Sequence, residues 1–129
     1  MKKVSLLIVA LVLGALLLTA CGAEKVEVND AMNGQSVSLK AGDQLVISLE
    51  SNPTTGFDWE LLTLDESVLK LVGEPAFKTD SKLVGASGVK TYTFEAQGSG
   101  TAAIKLIYHR SWETDVPPEK EFNLSIDVN

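Results

Sequence analysis

From residue 36 to the end, the apolar side chains of this chain recur at every second position, a period that fits strands and not helices. Leu45, Ile47 and Leu49 alternate with Val46 and Ser48, and Tyr92, Phe94 and Ala96 alternate with Thr93 and Glu95. Ile104, Leu106 and Tyr108 follow the same rule, as do Phe122, Leu124, Ile126 and Val128. Each run offers one face to a core and the other to water. The pattern predicts strands at 36–40, 44–50, 57–63, 68–73, 89–97, 101–109 and 120–128, with a further short strand admitted at Lys25 to Val28. A helical turn competes at one place, Leu64 to Leu71, where Asp65 and Ser67 could cap it. Short strands with regular turn signals in roughly a hundred residues imply an all-β fold, an immunoglobulin-like β-sandwich of about seven antiparallel strands.

The first twenty residues have another character. Lys2 and Lys3 precede an apolar run from Val4 to Leu18, which leads into Leu18-Thr19-Ala20-Cys21. This is the form of a signal peptide ending in a lipobox, with Cys21 as the acceptor of a diacylglyceryl group. The run is at the short end of the roughly 17–25 residues needed to span a bilayer. Cys21 is the single cysteine, so no intramolecular disulfide can form and the core must hold the fold. The expected organisation is a lipoprotein signal peptide at 1–20, a lipidated tether at 21–33 and one domain at 34–129. The domain is expected to be a monomer, exported and held to the extracytoplasmic face of a membrane through Cys21. Losing the signal takes two basic residues with it and leaves nine against seventeen acidic ones, a net charge of about −8. Nucleic acid and anionic lipid are poor partners for such a surface.

Successive strands of an antiparallel sandwich reverse direction, so alternate connections emerge at the same end. The first, third and fifth connections, Ala41 to Asp43, Leu64 to Ser67 and Gln97 to Gly100, are short and turn-like. The second, fourth and sixth run from Ser51 to Gly56, Glu74 to Gly88 and Arg110 to Glu119, and two of them are long. Long connections without structure of their own are where function concentrates, which makes their end the working end.

The second connection reads Ser51-Asn52-Pro53-Thr54-Thr55-Gly56-Phe57-Asp58-Trp59. Pro53 fixes its own φ and restricts Asn52, while Gly56 admits a backbone geometry that other residues resist, so Thr54 and Thr55 are held on a stiff tip. An ordinary Pro-Gly turn is the plainer reading. Trp59 belongs to the core. The fourth connection ends Leu83-Val84-Gly85-Ala86-Ser87-Gly88, where two glycines three apart suit close backbone contact with another surface or a simple flexible hairpin. The strand that follows, in place of a helix, argues against phosphate binding. In the sixth connection Arg110-Ser111-Trp112 follows a strand end, and arginine and tryptophan are residue types enriched at binding hot spots. The alternative is that Trp112 folds back as a lid on the core.

Catalysis finds little to work with. His109 is the only histidine, and H-E-x-x-H, G-x-S-x-G and clustered metal ligands are lacking. No catalytic residue, metal or cofactor is expected. A surface binding module using the same loops for a non-peptidase partner is a separate class of function that the fold alone allows.

Together the three segments resemble the chagasin family of cysteine-peptidase inhibitors, known from trypanosomatids and from bacteria. Its N-P-T-T-G loop is matched by Asn52, Pro53, Thr54, Thr55 and Gly56, its glycine-rich loop by Gly85 and Gly88, and its R-P-W loop by Arg110 and Trp112. The order and spacing fit across about residues 30–129. Ser87 stands where glycine is common and Ser111 where proline is usual. The resemblance implies a reversible, non-covalent inhibitor of papain-like cysteine peptidases and no enzyme activity. By that resemblance Asn52 to Phe57 enter the cleft over the catalytic cysteine and histidine. Leu83, Gly85, Ala86, Ser87 and Gly88 line one side of it, and Arg110, Ser111 and Trp112 pack on the other.

Overall fold

The computed structural model describes residues 23–79 and 87–129, so the segment expected to be a signal peptide and Cys21 lie outside the described residues. The alternating runs form two packed sheets. In the first, β1 (Lys25–Val28), β3 (Gln44–Ser51), β7 (Gly88–Ala96) and β5 (Leu69–Leu71) lie side by side, and β6 (Ala76–Lys78) also pairs with β7. In the second, the order is β2 (Gln35–Leu39), β9 (Lys120–Val128), β8 (Gly100–His109) and β4 (Asp58–Thr63). The inward members of each run fill the space between the sheets. Leu45, Ile47, Leu49, Phe94, Leu106, Phe122 and Ile126 are all buried. Every described strand and the whole described core come from residues 25–128.

The architecture is the expected immunoglobulin-like sandwich, with two corrections. The edge strands β1 and β2 pair in parallel with β3 and β9, so the sheets are mixed and not wholly antiparallel. A chain that enters one sheet at its edge and crosses to the other before its first hairpin has no need to reverse direction against its neighbour. The short strand admitted at Lys25 to Val28 is present as β1, with Val28 buried and a 3-10 turn following at Asp30–Met32. The strand expected at 68–73 is shorter. Gly73 takes a left-handed φ of 66° and Pro75 follows, which stops β5 at Leu71 and restarts the chain as β6 along the same edge of β7. The fourth connection therefore carries three paired residues of its own. The helical turn at Leu64 to Leu71 reduces to one turn, in which the Asp65 carbonyl accepts from the N–H groups of Val68 and Leu69 and its carboxylate from Ser67.

At the end of the sandwich where β3 begins, Asp43 ties three segments together. It is buried, and its carboxylate accepts the backbone N–H of Glu24 at 2.9 Å and that of Lys40 at 2.9 Å. Its own carbonyl accepts the N–H of Ala96. These donors, Glu24 foremost and then Lys40, hold the carboxyl below its ordinary value of 3.8. A lowered pKa means stabilisation that is full above 3.8 and is lost as pH falls from there towards the folded value. Asparagine keeps one acceptor oxygen and turns an amide N–H₂ against the remaining donor. Asp43→Asn is expected to melt several degrees below wild type at pH 7, with the gap narrowing below about pH 4. Thermal unfolding followed by circular dichroism at pH 7 and pH 3 checks this, and an equal gap at both would contradict it.

Candidate functional site: a three-loop pole

Strand register brings the described ends of the second, fourth and sixth connections to one pole. Ser51, the last residue of β3, pairs with Gly88, the first of β7, and Asp58, the first of β4, pairs with His109, the last of β8. The Asn52–Phe57 connection thus crosses from one sheet to the other. The chain on either side of it closes a hairpin, β6–β7 in the first sheet and β8–β9 in the second.

Beneath the central loop the two sheets are joined by polar contacts. Trp59 Nε1 donates to the Glu50 carbonyl at 3.0 Å, and the Tyr92 hydroxyl donates to the Trp59 carbonyl at 3.0 Å. Burial, with the charges of Asp58 and Glu60 adding to it, pushes the Tyr92 phenol far above its ordinary value and keeps it a donor. Lys90 Nζ bridges from β7 to both carboxylate oxygens of Asp58, at 2.8 and 2.9 Å.

A column of rings rises from this base. Buried Trp59 meets Tyr108 at 5.0 Å, Tyr108 stacks on Phe57 at 5.3 Å, and the Arg110 guanidinium lies 4.3 Å above the Phe57 ring. The Tyr108 hydroxyl accepts the N–H of Asn52 at 2.9 Å, and Arg110 Nε donates to the Thr55 carbonyl at 3.1 Å. Both ends of the central loop are thereby fixed to β8 and its extension.

The loop itself is a 3-10 turn at Pro53–Thr55 closed by Gly56 at a left-handed φ of 85°. Pro53, Thr54 and Thr55 are exposed. Their hydroxyls are engaged within the loop: Thr54 Oγ1 donates to Asn52 Oδ1 at 2.6 Å, and Thr55 Oγ1 donates to the Asn52 carbonyl at 2.7 Å. What each hydroxyl presents to a partner is therefore its acceptor lone pairs.

Trp112 is 66% exposed, so it is no lid on the core. The edge of its six-membered ring covers Gly56, where an added Cβ would come within 3.0 Å of the indole. Arg110 to Glu113 form a turn in which the Glu113 N–H donates to the Arg110 carbonyl at 3.0 Å, and Arg110 Nη1 meets Glu113 Oε1 at 3.3 Å. Ser111 and Trp112 occupy the two central positions. On the other flank, Gly88 makes room for the chain's own β6, since a Cβ there would strike the Lys78 carbonyl and the Phe77 ring. Ser87 is exposed, and its carbonyl accepts from Thr79 Oγ1 at 3.2 Å. Leu83, Gly85 and Ala86 lie outside the described residues. His109 Nε2 sits 2.6 Å from Glu60 Oε2, on the outer side of β8 and β4.

The structure thus brings Asn52, Pro53, Thr54, Thr55, Gly56, Phe57, Gly88, Arg110, Ser111 and Trp112 to one end. Sequence reading missed Tyr108 and Lys90 as supports of that end. Alternation alone gave Tyr108 to the core, and its hydroxyl was the signal, because a buried phenol needs a partner.

The described part of this pole is an exposed, internally braced end of a β-sandwich. The sequence matches the model of the chagasin family of peptidase inhibitors, I42, over residues 38–126, and the chain belongs to that family. It is 32% identical over 108 residues to chagasin of Trypanosoma cruzi, a match covering 80% of this chain and 97% of chagasin. Among solved structures, the cysteine protease inhibitor EhICP2 of Entamoeba histolytica has a TM-score of 0.73 at 20% identity, covering 83% of this chain and 97% of its own. PbICP-C, solved in complex with falcipain-2, has a TM-score of 0.54 at 19% identity, covering 83% of this chain and 89% of its own. At these identities the two structures bear on the fold, while the family itself is one of inhibitors and not of enzymes.

The packing of Trp112 on Gly56 generates a prediction. Alanine at position 56 would hold a left-handed φ at a cost of about 1 kcal/mol or more and displace the indole. Gly56→Ala should leave the circular dichroism spectrum unchanged, lower the melting temperature by a few degrees and increase acrylamide quenching of Trp112. Unchanged quenching would show that the ring does not rest on residue 56.

Proposed function

We propose that this domain is a reversible, non-covalent inhibitor of papain-like cysteine peptidases, occluding the active-site cleft with its three-loop pole. The observation that carries the reading is the convergence of Asn52–Gly56, Gly88 and Arg110–Trp112 at one end, in a chain of the chagasin family. The central loop enters the cleft over the catalytic cysteine and histidine. Leu83 to Gly88 lie along one wall and pair backbone with it, and Trp112 packs on the other. Thr54 and Thr55 accept hydrogen bonds from donors in the cleft. Arg110 acts from behind, holding the Thr55 carbonyl and the Phe57 ring in place.

A peptidase cleft takes its substrate as an extended strand. Residues 53–55 are instead wound into a turn closed by the bond from the Gly56 N–H to the Pro53 carbonyl, so no peptide bond there is offered in extended form. The internal bonds also lower the entropic cost of docking. A contact of about 1,600 Å² is usual for such pairs, and nanomolar binding corresponds to roughly −12 kcal/mol. We further propose that the domain acts as a monomer at the cell envelope, anchored through a lipid on Cys21. The basic start, apolar run and lipobox support this placement.

Titration of papain with the soluble domain, residues 22–129, should give a nanomolar inhibition constant, and Thr55→Ala and Trp112→Ala should each raise it more than tenfold, about 1.4 kcal/mol. Absence of inhibition at tens of micromolar by a folded domain would refute papain-like targets of this type.

The turn at Arg110–Glu113 yields a second expectation. Ser111 is the second residue of that turn, the position where proline is favoured. Ser111→Pro should lower the inhibition constant about twofold to fivefold, the equivalent of ~0.4–1 kcal/mol of chain entropy removed beforehand. A higher constant in the same titration would mean that the serine conformation matters to the contact.

A further inference from the structure

The chain enters the fold at the pole opposite its loops, and this has a consequence for what it can reach. β1 runs parallel to β3, with Lys25 beside Gln44 and Val28 beside Ile47, while β3 ends at Ser51 under the central loop. Glu24 is pinned at the start of β3 from both sides, its N–H donating to Asp43 Oδ1 at 2.9 Å and its carbonyl accepting from Gln44 at 2.8 Å. The far end of the chain is at the same pole, where the Asn129 N–H donates to the Leu39 carbonyl at 2.9 Å. The eight residues of β3 separate that pole from the loops by about 23 Å.

Only Gly22 and Ala23 intervene between Cys21 and Glu24, a reach of about 10 Å even when fully extended. The turns at the entry pole, Lys40–Asp43, Asp65–Ser67 and Gln97–Gly100, hold none of the exposed large apolar side chains among the described residues. Exposed Trp112 and Val116 belong to the loop pole. We propose that the anchored protein stands with its entry pole against the bilayer and presents its loops away from it, so that its partner is a peptidase dissolved in the surrounding fluid and not one whose cleft lies at the membrane surface. This rests on the inhibitor and lipid-anchor readings above. The rival geometry is that Trp112 and Val116 dip into the lipid interface, as exposed tryptophan often does.

The test uses residues 21–129, which carry every described strand, with the Cys21 thiol coupled to a maleimide lipid in phosphatidylcholine vesicles. Orientation is then read whether or not cells lipidate that cysteine, and mass spectrometry of the protein from membranes decides the anchor separately. Trp59 is buried, so collisional quenching reports Trp112. The expected result is full acrylamide quenching, no quenching by acyl-chain bromines, and a papain inhibition constant within about twofold of that of the free chain. Bromine quenching of Trp112, or a tenfold loss of inhibition on vesicles by a chain that inhibits when free, would overturn the proposal. A free chain that fails to inhibit papain refutes the inhibitor reading instead, and bromine quenching still decides the orientation.

Discussion

The rest of the structure depends on the contact of Tyr108 with its neighbours. Its ring lies between Trp59, which belongs to the core, and Phe57, which belongs to the loop, and its hydroxyl holds the Asn52 N–H. Without it the central loop would be a connection between two sheets with no fixed height above them. With it, the apolar packing of the sandwich extends continuously to the Arg110 guanidinium, and the loop inherits the rigidity of the core. Polar contacts at the base serve the same end. The Trp59 indole, the Tyr92 hydroxyl and the Lys90 ammonium each cross from one sheet to the other, so the two strands that carry the loop cannot splay.

Much of this was legible in the sequence, and the boundary of what was follows from the range of each interaction. The alternation of Phe122, Leu124, Ile126 and Val128 depends only on neighbours in sequence, and β9 spans Lys120–Val128 as expected. The sorting of long connections to one end followed from strand reversal, and the parallel pairing of β1 and β2 did not upset it because both lie at sheet edges upstream of the loops. The division of residues 68–78 into β5 and β6 was missed, although Gly73 and Pro75 were visible, because a broken edge strand and a loop look alike until β7 is seen beside them. The ring column joins residues about fifty positions apart, and no local pattern encodes it.

The same distinction applies to the site. The motif residues were readable as a set, but their division of labour was not. Arg110 was expected to face a partner, and its guanidinium is engaged with Phe57, Thr55 and Glu113. Thr54 and Thr55 were expected on a stiff tip, and the hydroxyls of both donate to Asn52. An isolated reading of a polar side chain on a loop favours a partner because the chain's own acceptors are not yet in view.

Two of the motif glycines sharpen the point. Gly56 lacks a side chain where the Trp112 indole rests, and Gly88 lacks one where β6 passes. Both absences are required by packing within this chain, before any partner arrives. The second and sixth connections therefore restrain each other, position 56 through Trp112 and Arg110 through Thr55, while position 88 is held within its own segment against β6. Binding by connections held this way costs little ordering entropy, because the internal hydrogen bonds and ring contacts have already removed the freedom that docking would otherwise have to remove.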